Sequence, residues 1–208
     1  MSHQIAAMFP TLVSLVTFDR AAEFNPRARR RLAELEEGGG GVAKDGQWQS
    51  GHELHKDPVF RELADFAEKA VADRFEALRY RPATLAITGF WGNVNRPGYQ
   101  HMAHAHSNNF ISGVYYVTAP ESGGGIVFQD PRKQFQVLVP TIAEITDMNS
   151  TAVRLPAVEG QMLLFPSWLE HFTETNRSDV PRVSIAFNLM LTGSFGSPET
   201  FAGGYVRP

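Results

Sequence analysis

Arg182-Val183-Ser184-Ile185-Ala186-Phe187-Asn188-Leu189 alternates in polarity along its whole length. In an extended chain Arg182, Ser184 and Asn188 point one way and Val183, Ile185, Phe187 and Leu189 the other. This predicts a strand over 182–192 whose apolar row meets a covering layer. The polar row then points into the space that a second sheet would enclose. An arginine on that inward row is costly unless it meets an anion, and a carboxylate gripped by the planar guanidinium would satisfy it.

Upstream of this strand the chain breaks into similar short pieces. Strands are expected at 84–91, 99–106, 110–118, 125–129, 134–139, 151–155 and 161–165. Gly92-Asn93, Pro97-Gly98, Ser122 to Gly125, Asp130-Pro131 and Asn176 to Pro181 punctuate them. Before them, residues 11–18 read as a first strand. Asn25-Pro26 reads as a cap with proline at the first helical position, opening a helix to about Glu37. Its arginines come early and its glutamates late, against the helix dipole, so it needs tertiary support. Residues 42–56 read as an irregular loop. A second helix is expected from Asp57-Pro58 to about Tyr80, with Val59, Phe60, Leu63, Phe66, Ala67, Ala70, Val71, Phe75 and Leu78 on one stripe.

Two helices followed by about eight short strands predict a mainly β fold, a jelly-roll or cupin-like barrel with both helices on one outer face. The expected organisation is a single domain over 1–208: strand and helices in 1–83, barrel core in 84–192, tail in 193–208. The chain has 208 residues, a net charge of -3 and no cysteine. A dedicated nucleic-acid binder would show a basic stripe, and thiolate metal sites and disulfides are excluded. Any metal must be held by histidines and carboxylates. Met1 to Gln4 lacks a basic signal region, and no apolar run is long enough to span a bilayer, so a cytoplasmic protein without a membrane partner is expected.

Four of the seven histidines stand out. On a strand, His104 and His106 project side by side and can share one metal ion, whereas His101 has the opposite parity and is expected at the rim. His3, His52 and His55 read as surface residues. Glu159 to His171 reads as a turn, an apolar strand and a proline-marked corner that ends in a histidine. Trp168 on that corner is a pocket-lining or packing residue, and Gly123 to Gly125 are hairpin glycines.

Three blocks, His104 to Val117, Phe165 to His171 and Arg182 to Asn188, together resemble the iron(II)- and 2-oxoglutarate-dependent oxygenases. Their shared pattern is H-x-H-x-N-x-x-x-S-G-V-Y-Y-V, F-P-S-W-L-x-H and R-x-S-x-x-F-N, and the resemblance covers about residues 84–192. It implies a double-stranded β-helix with Fe(II) at its mouth, held by His104 and His171. It further implies that Arg182, helped by Ser184, binds the distal carboxylate of the cosubstrate 2-oxoglutarate. Tyr115 or Tyr116 would bond the same carboxylate, with Tyr115 favoured. Asn93, Asn95, Asn108 and Asn188 are further lining candidates. The implied reaction is O₂-dependent and couples cosubstrate decarboxylation to oxidation, expected to be hydroxylation, of a substrate C–H bond.

The sequence departs from the family where a carboxylate usually follows the first histidine by two residues: His106 stands there. Gln100 to Ala119 contains no Asp or Glu, which makes His104, His106 and His171 the expected metal ligands and catalytic centre. Three imidazoles also suit zinc. Two alternatives therefore stand beside the oxygenase: a cupin-like three-histidine enzyme that does not use 2-oxoglutarate, and a non-catalytic module with structural zinc. The primary substrate, small molecule or peptide, is not legible, and a homodimer is left open.

Overall fold

The computed structural model describes residues 2–80, 84–196 and 204–206. In chain order its elements are β1 (Ser14–Thr17), α1 (Ala21–Glu37), β2 (Val42–Lys44), β3 (Gln47–Gln49), α2 (Arg61–Ala77), β4 (Thr84–Asn95), β5 (Ile111–Thr118), β6 (Ile126–Gln129), β7 (Ala152–Leu155), β8 (Gln161–Pro166), β9 (His171–Thr173), β10 (Arg182–Phe195) and β11 (Gly204–Val206). They form a large sheet in the order β1-β8-β5-β10-β4-β3-β2, with β11 added against β10, and a small sheet β7-β6-β9. This is the mainly β, two-sheet architecture of a double-stranded β-helix. The two sheets are not joined into a closed barrel.

β10 sits between β4 and β5, and its alternation divides the molecule. Ile185 and Phe187 lie in register with Gly92 and Phe90 on β4 and with Tyr115 and Gly113 on β5. That row packs with Phe24 and Leu32 of α1 and Leu63, Ala67 and Val71 of α2 in the main core. The opposite row carries Arg182 beside Asn95, Ser184 between Asn93 and Tyr116, Ala186 between Trp91 and Val114, and Asn188 between Gly89 and Ser112. β8 divides likewise: Met162 and Leu164 join the helix-side core, while Leu163 and Phe165 join Ile126 and Phe128 between the sheets.

Both helices cover the outer face of the large sheet, as expected, but their starts differ. α1 begins five residues early, so Asn25 is inside it and is not a cap. Its side chain is buried, accepting a hydrogen bond from Tyr115 Oη at 2.7 Å and donating to Glu159 Oε1 at 3.2 Å. The tertiary support α1 needs comes partly from ion pairs to the start of α2: Arg31 meets Asp57 at 2.8 Å, and Arg20 and Arg27 both meet Glu62. α2 begins at Arg61, because Asp57 accepts a hydrogen bond from Val59 N at 2.9 Å and holds the preceding residues in a turn. It ends at Ala77, where Arg79 at φ 59° leaves the helical region.

Four strand expectations need correction. The 42–56 loop contains the β2–β3 hairpin, turned by Asp45 and Gly46 at φ 48° and 85°. Segment 99–106 is not a strand and pairs only through one isolated bridge, His104 with His171. Residues 133–136 form a 3₁₀ turn that overlaps the start of the expected strand 134–139. Finally β9 was not expected, and β10 and β11 reach into the expected tail. Pro82, the expected helix stop, lies outside the described residues. Among the described residues no helix is long and apolar enough to cross a membrane.

Gly113 is where the sheet and the helix-side core press hardest together. A Cβ there would stand 2.2 Å from Phe187 Cζ and 3.0 Å from the Leu163 carbonyl oxygen. Gly113→Ala should therefore cost about 1–3 kcal/mol through overpacking. A thermal melt should show a fall of about 2–4 °C per kcal/mol.

Candidate metal centre

The bridge between His104 and His171 founds the site. Each backbone N–H donates to the other's carbonyl at 3.0 Å, which clamps the 101–106 segment onto the start of β9. Thr173 N donates to His101 O at 3.1 Å and His106 N to Ser167 O at 2.9 Å, so the segment is stitched to the 167–173 corner without becoming a strand. His104, His106 and His171 converge here, their ligand atoms all within 4.8 Å of one another. Strand parity is not what brings His104 and His106 together; this backbone stitching is.

Each imidazole is aimed through its Nδ1. His104 Nδ1 stands 2.8 Å from Met102 O, His171 Nδ1 2.8 Å from Leu169 O, and His106 Nδ1 2.7 Å from Asn188 Oδ1 and 2.8 Å from Ser112 Oγ. Carbonyl and amide oxygens accept only, so each Nδ1 carries the proton and each Nε2 is left a lone pair. Nε2 of His104 and Nε2 of His106 then face each other at 3.1 Å. Two lone pairs at that separation repel, and a cation between them turns repulsion into coordination. The residues present therefore fit a bound divalent metal. Burial pushes the His171 pKa down to about 3 and lowers that of His106, so these imidazoles are neutral at pH 7.

Arg182 lies at the end of the same row. It is 1% exposed, and its Nη1 donates to Gly123 O at 2.6 Å and to Gly124 O and Glu174 O at 3.3 Å. Its Nη2 is buried without a partner. An orphaned guanidinium nitrogen costs several kcal/mol unless an anion meets it. Burial depresses the Arg182 pKa, with Tyr116, Glu174 and Tyr99 opposing, and raises the Tyr116 hydroxyl to about 12, with Arg182 opposing. Ser184 lies in register with Tyr116.

Tyr115, favoured from the resemblance, is on the wrong face: its hydroxyl donates to Asn25 in the helix-side core, and burial raises its pKa. Tyr116 is the tyrosine on the Arg182 side. Among the lining candidates, Asn188 contacts His106 and Asn93 accepts from Gln47 at 3.1 Å. Asn95 is buried in register with Arg182, with Oδ1 unpartnered, and Asn108 is an exposed turn residue at φ 60°. His101 is half-buried, its ring edge-on to His104 at 4.5 Å and its Nδ1 3.1 Å from Tyr99 Oη.

Other neighbours carried no signal in sequence periodicity. Trp91 stacks on His52 at 4.7 Å and lies 6.2 Å from the His106 ring. Gln47 reaches both Asn93 and Tyr99 from β3, a strand that the Asp45-Gly46 turn signal could have revealed. Trp168 is 59% exposed at the corner before His171. A groove of about 250 Å³ between α1 and the end of the large sheet, lined by Leu32, Val94, Thr118 and Val183, includes none of these groups.

A search of curated proteins finds no match to the sequence. Solved structures do resemble the fold. The α-ketoglutarate-dependent epimerase SnoN from nogalamycin biosynthesis superposes with a TM-score of 0.67 at 12% identity, covering 92% of this chain and 83% of its own. HygX from Streptomyces hygroscopicus, with nickel and 2-oxoglutarate bound, gives 0.60 at 14% identity, with 95% and 92% covered. A Pseudomonas putida prolyl-4-hydroxylase gives 0.59 at 13%, with 86% and 92% covered. Residues 89–188, which include all three clustered histidines and Arg182, match the family model described as "Putative 2OG-Fe(II) oxygenase". That region, a little under half of the chain, is thus similar to the 2OG-Fe(II) oxygenase family, and the solved structures share the fold.

Proposed function

We propose that the protein is a hydroxylase in which His104, His106 and His171 hold Fe(II) and Arg182 holds the distal carboxylate of 2-oxoglutarate. The observation that carries this reading is the pairing of three Nε2 lone pairs with a buried arginine whose Nη2 has no partner. A site without a dicarboxylate leaves that nitrogen unexplained, which disfavours both the cupin-like and the structural-zinc alternatives. When bound, iron with 2-oxoglutarate would supply the oxidising chemistry that inserts an oxygen atom from O₂ into a C–H bond.

The chain's own residues bind, orient and exclude water. Nδ1 hydrogen bonds hold the three imidazoles aimed. Arg182, anchored by three backbone carbonyls, offers Nη2 to a carboxylate oxygen, and Ser184 and Tyr116 stand beside it as hydroxyl donors. Leu163, Phe165, Ile126 and Phe128 pack between the sheets and keep that interior dry. The substrate, small molecule or peptide, approaches from the open side of the histidines.

Alanine at His104, His106 or His171 should each cut bound iron measured by elemental analysis at least tenfold; full occupancy in all three variants would remove the triad. Arg182→Lys keeps the charge but loses the fork. It should weaken 2-oxoglutarate on the order of 30-fold, about 2 kcal/mol, read as the saturation of the visible charge-transfer band under anaerobic conditions, while iron content holds. Equal loss of both would mean a folding defect. The metal-free protein also carries a pH signature. The folded-state pKa values of His171 and His101 are depressed, to about 3 and about 4, mainly by burial. Below about pH 6.5 the unfolded chain takes up protons that the folded one refuses. The melting temperature should therefore fall steadily from pH 6.5 to 4, and a flat profile would contradict the burial of these rings.

A further inference from the structure

Three residues of the sequence blocks have no role in holding metal or cosubstrate: Ser112, Ser167 and Asn188. Each comes from a different block, and the fold brings all three to His106. Ser112 Oγ lies 2.8 Å from Ser167 Oγ and 2.7 Å from Asn188 Oδ1, and both Ser112 Oγ and Asn188 Oδ1 reach His106 Nδ1, at 2.8 and 2.7 Å. Ser112 and Ser167 are fully buried. The backbone adds a further tie, His106 N to Ser167 O at 2.9 Å.

Proton counting gives this cluster a direction. Asn188 Oδ1 is an acceptor with two lone pairs, and two neighbours point at it. Ser112 donates one proton to it, and Ser112's own oxygen accepts from Ser167. The remaining lone pair accepts from His106, so the imidazole proton sits on Nδ1. With the Asn188 amide turned over, its Nδ2 would donate to Nδ1. His106 would then carry its proton on Nε2, aimed at His104 Nε2 3.1 Å away, and the site would be closed to a cation. The orientation of one amide thus decides whether His106 is a ligand.

We propose that Asn188, backed by Ser112 and Ser167, is the positioning residue that fixes the metal-binding tautomer of His106, and that this apparatus accompanies an imidazole where related enzymes carry a carboxylate. A carboxylate ligand has no tautomer to choose; an imidazole does, and here one residue from each block makes the choice. The proposal rests on the proposed function only in taking His106 as a metal ligand.

Zinc(II)-loaded protein, diamagnetic, is the form to measure. Long-range ¹H–¹⁵N spectra should show His106 with a slowly exchanging Nδ1–H and a metal-bound Nε2. Asn188→Leu should lose that slow exchange and weaken zinc and iron about 10- to 100-fold, while Asn188→Asp, which keeps the acceptor, should restore both. Ser167→Ala, one bond further out, should show a smaller loss of the same kind and serves as the test if Asn188→Leu does not fold. A His106 Nδ1–H that exchanges freely in the wild-type protein, or full metal affinity in both Asn188→Leu and Ser167→Ala, would overturn the proposal. The 2-oxoglutarate charge-transfer band is a separate readout: its absence with a protected Nδ1–H would sink the oxygenase reading and leave the role of Asn188 standing.

Discussion

Everything in this molecule hangs on β10 having two different faces, both inside. The strand is paired with β4 along 182–192 and with β5 along 183–189, so it cannot slip by one residue without exchanging its rows. One row, Val183, Ile185, Phe187 and Leu189, is the floor of the helix-covered core; the other, Arg182, Ser184 and Asn188, is chemistry. A slip would drive Arg182 under α1 and present Phe187 to the histidines. Stability and function therefore constrain the same register. The glycines show how tightly it is set, since Gly92 lies under Leu32 and Gly113 under Phe187, with no room for a Cβ in either place.

The electrostatics follow from that burial. Among the described residues no carboxylate joins the three histidines in the ligand cluster. Burial holds His171, His106 and His101 neutral, and Arg182 is the cation at the far end of the row. Glu174 is an acid whose charge acts on Arg182, but its carboxylate is engaged by Gly125 N at 2.7 Å and Arg154 at 2.6 Å, and its backbone carbonyl accepts from Arg182. The interior between the sheets is consequently short of negative charge. A dianion would correct the deficit, as the proposed function has it.

Much of this was legible because it depends on alternation and composition. The two faces of β10, the covering helices and the convergence of His104, His106 and His171 all follow from local pattern or from resemblance. What was not legible depends on contacts between distant segments. The 99–106 stretch alternates like a strand, yet its backbone bonds go to the 167–173 corner, and that stitching, not strand parity, brings His104 and His106 together. Asn25 looked like a helix cap because Pro26 follows it; only the fold reveals that its amide is needed by Tyr115 and Glu159. That same contact decides between the two tyrosines. Tyr115 and Tyr116 are adjacent, hence on opposite faces, and nothing local to β5 says which face the helices will cover.

With His106 where the resembled pattern usually carries a carboxylate, the charge balance of the site changes. Held by three neutral imidazoles, a divalent metal keeps its whole charge, where a carboxylate would cancel one unit of it. On the proposed reading a dicarboxylate cosubstrate would supply the balancing charge instead, and the buried Arg182 would give it a second attachment away from the metal. On that reading each binding event would favour the other, since the metal alone would sit in an under-neutralised pocket and the anion alone would meet only the arginine. A carboxylate in place of His106 would weaken that coupling, because the metal would need the cosubstrate less. On that reading the triad, reached from β10 through Asn188, and the orphaned guanidinium nitrogen of Arg182 would be two halves of one charge balance.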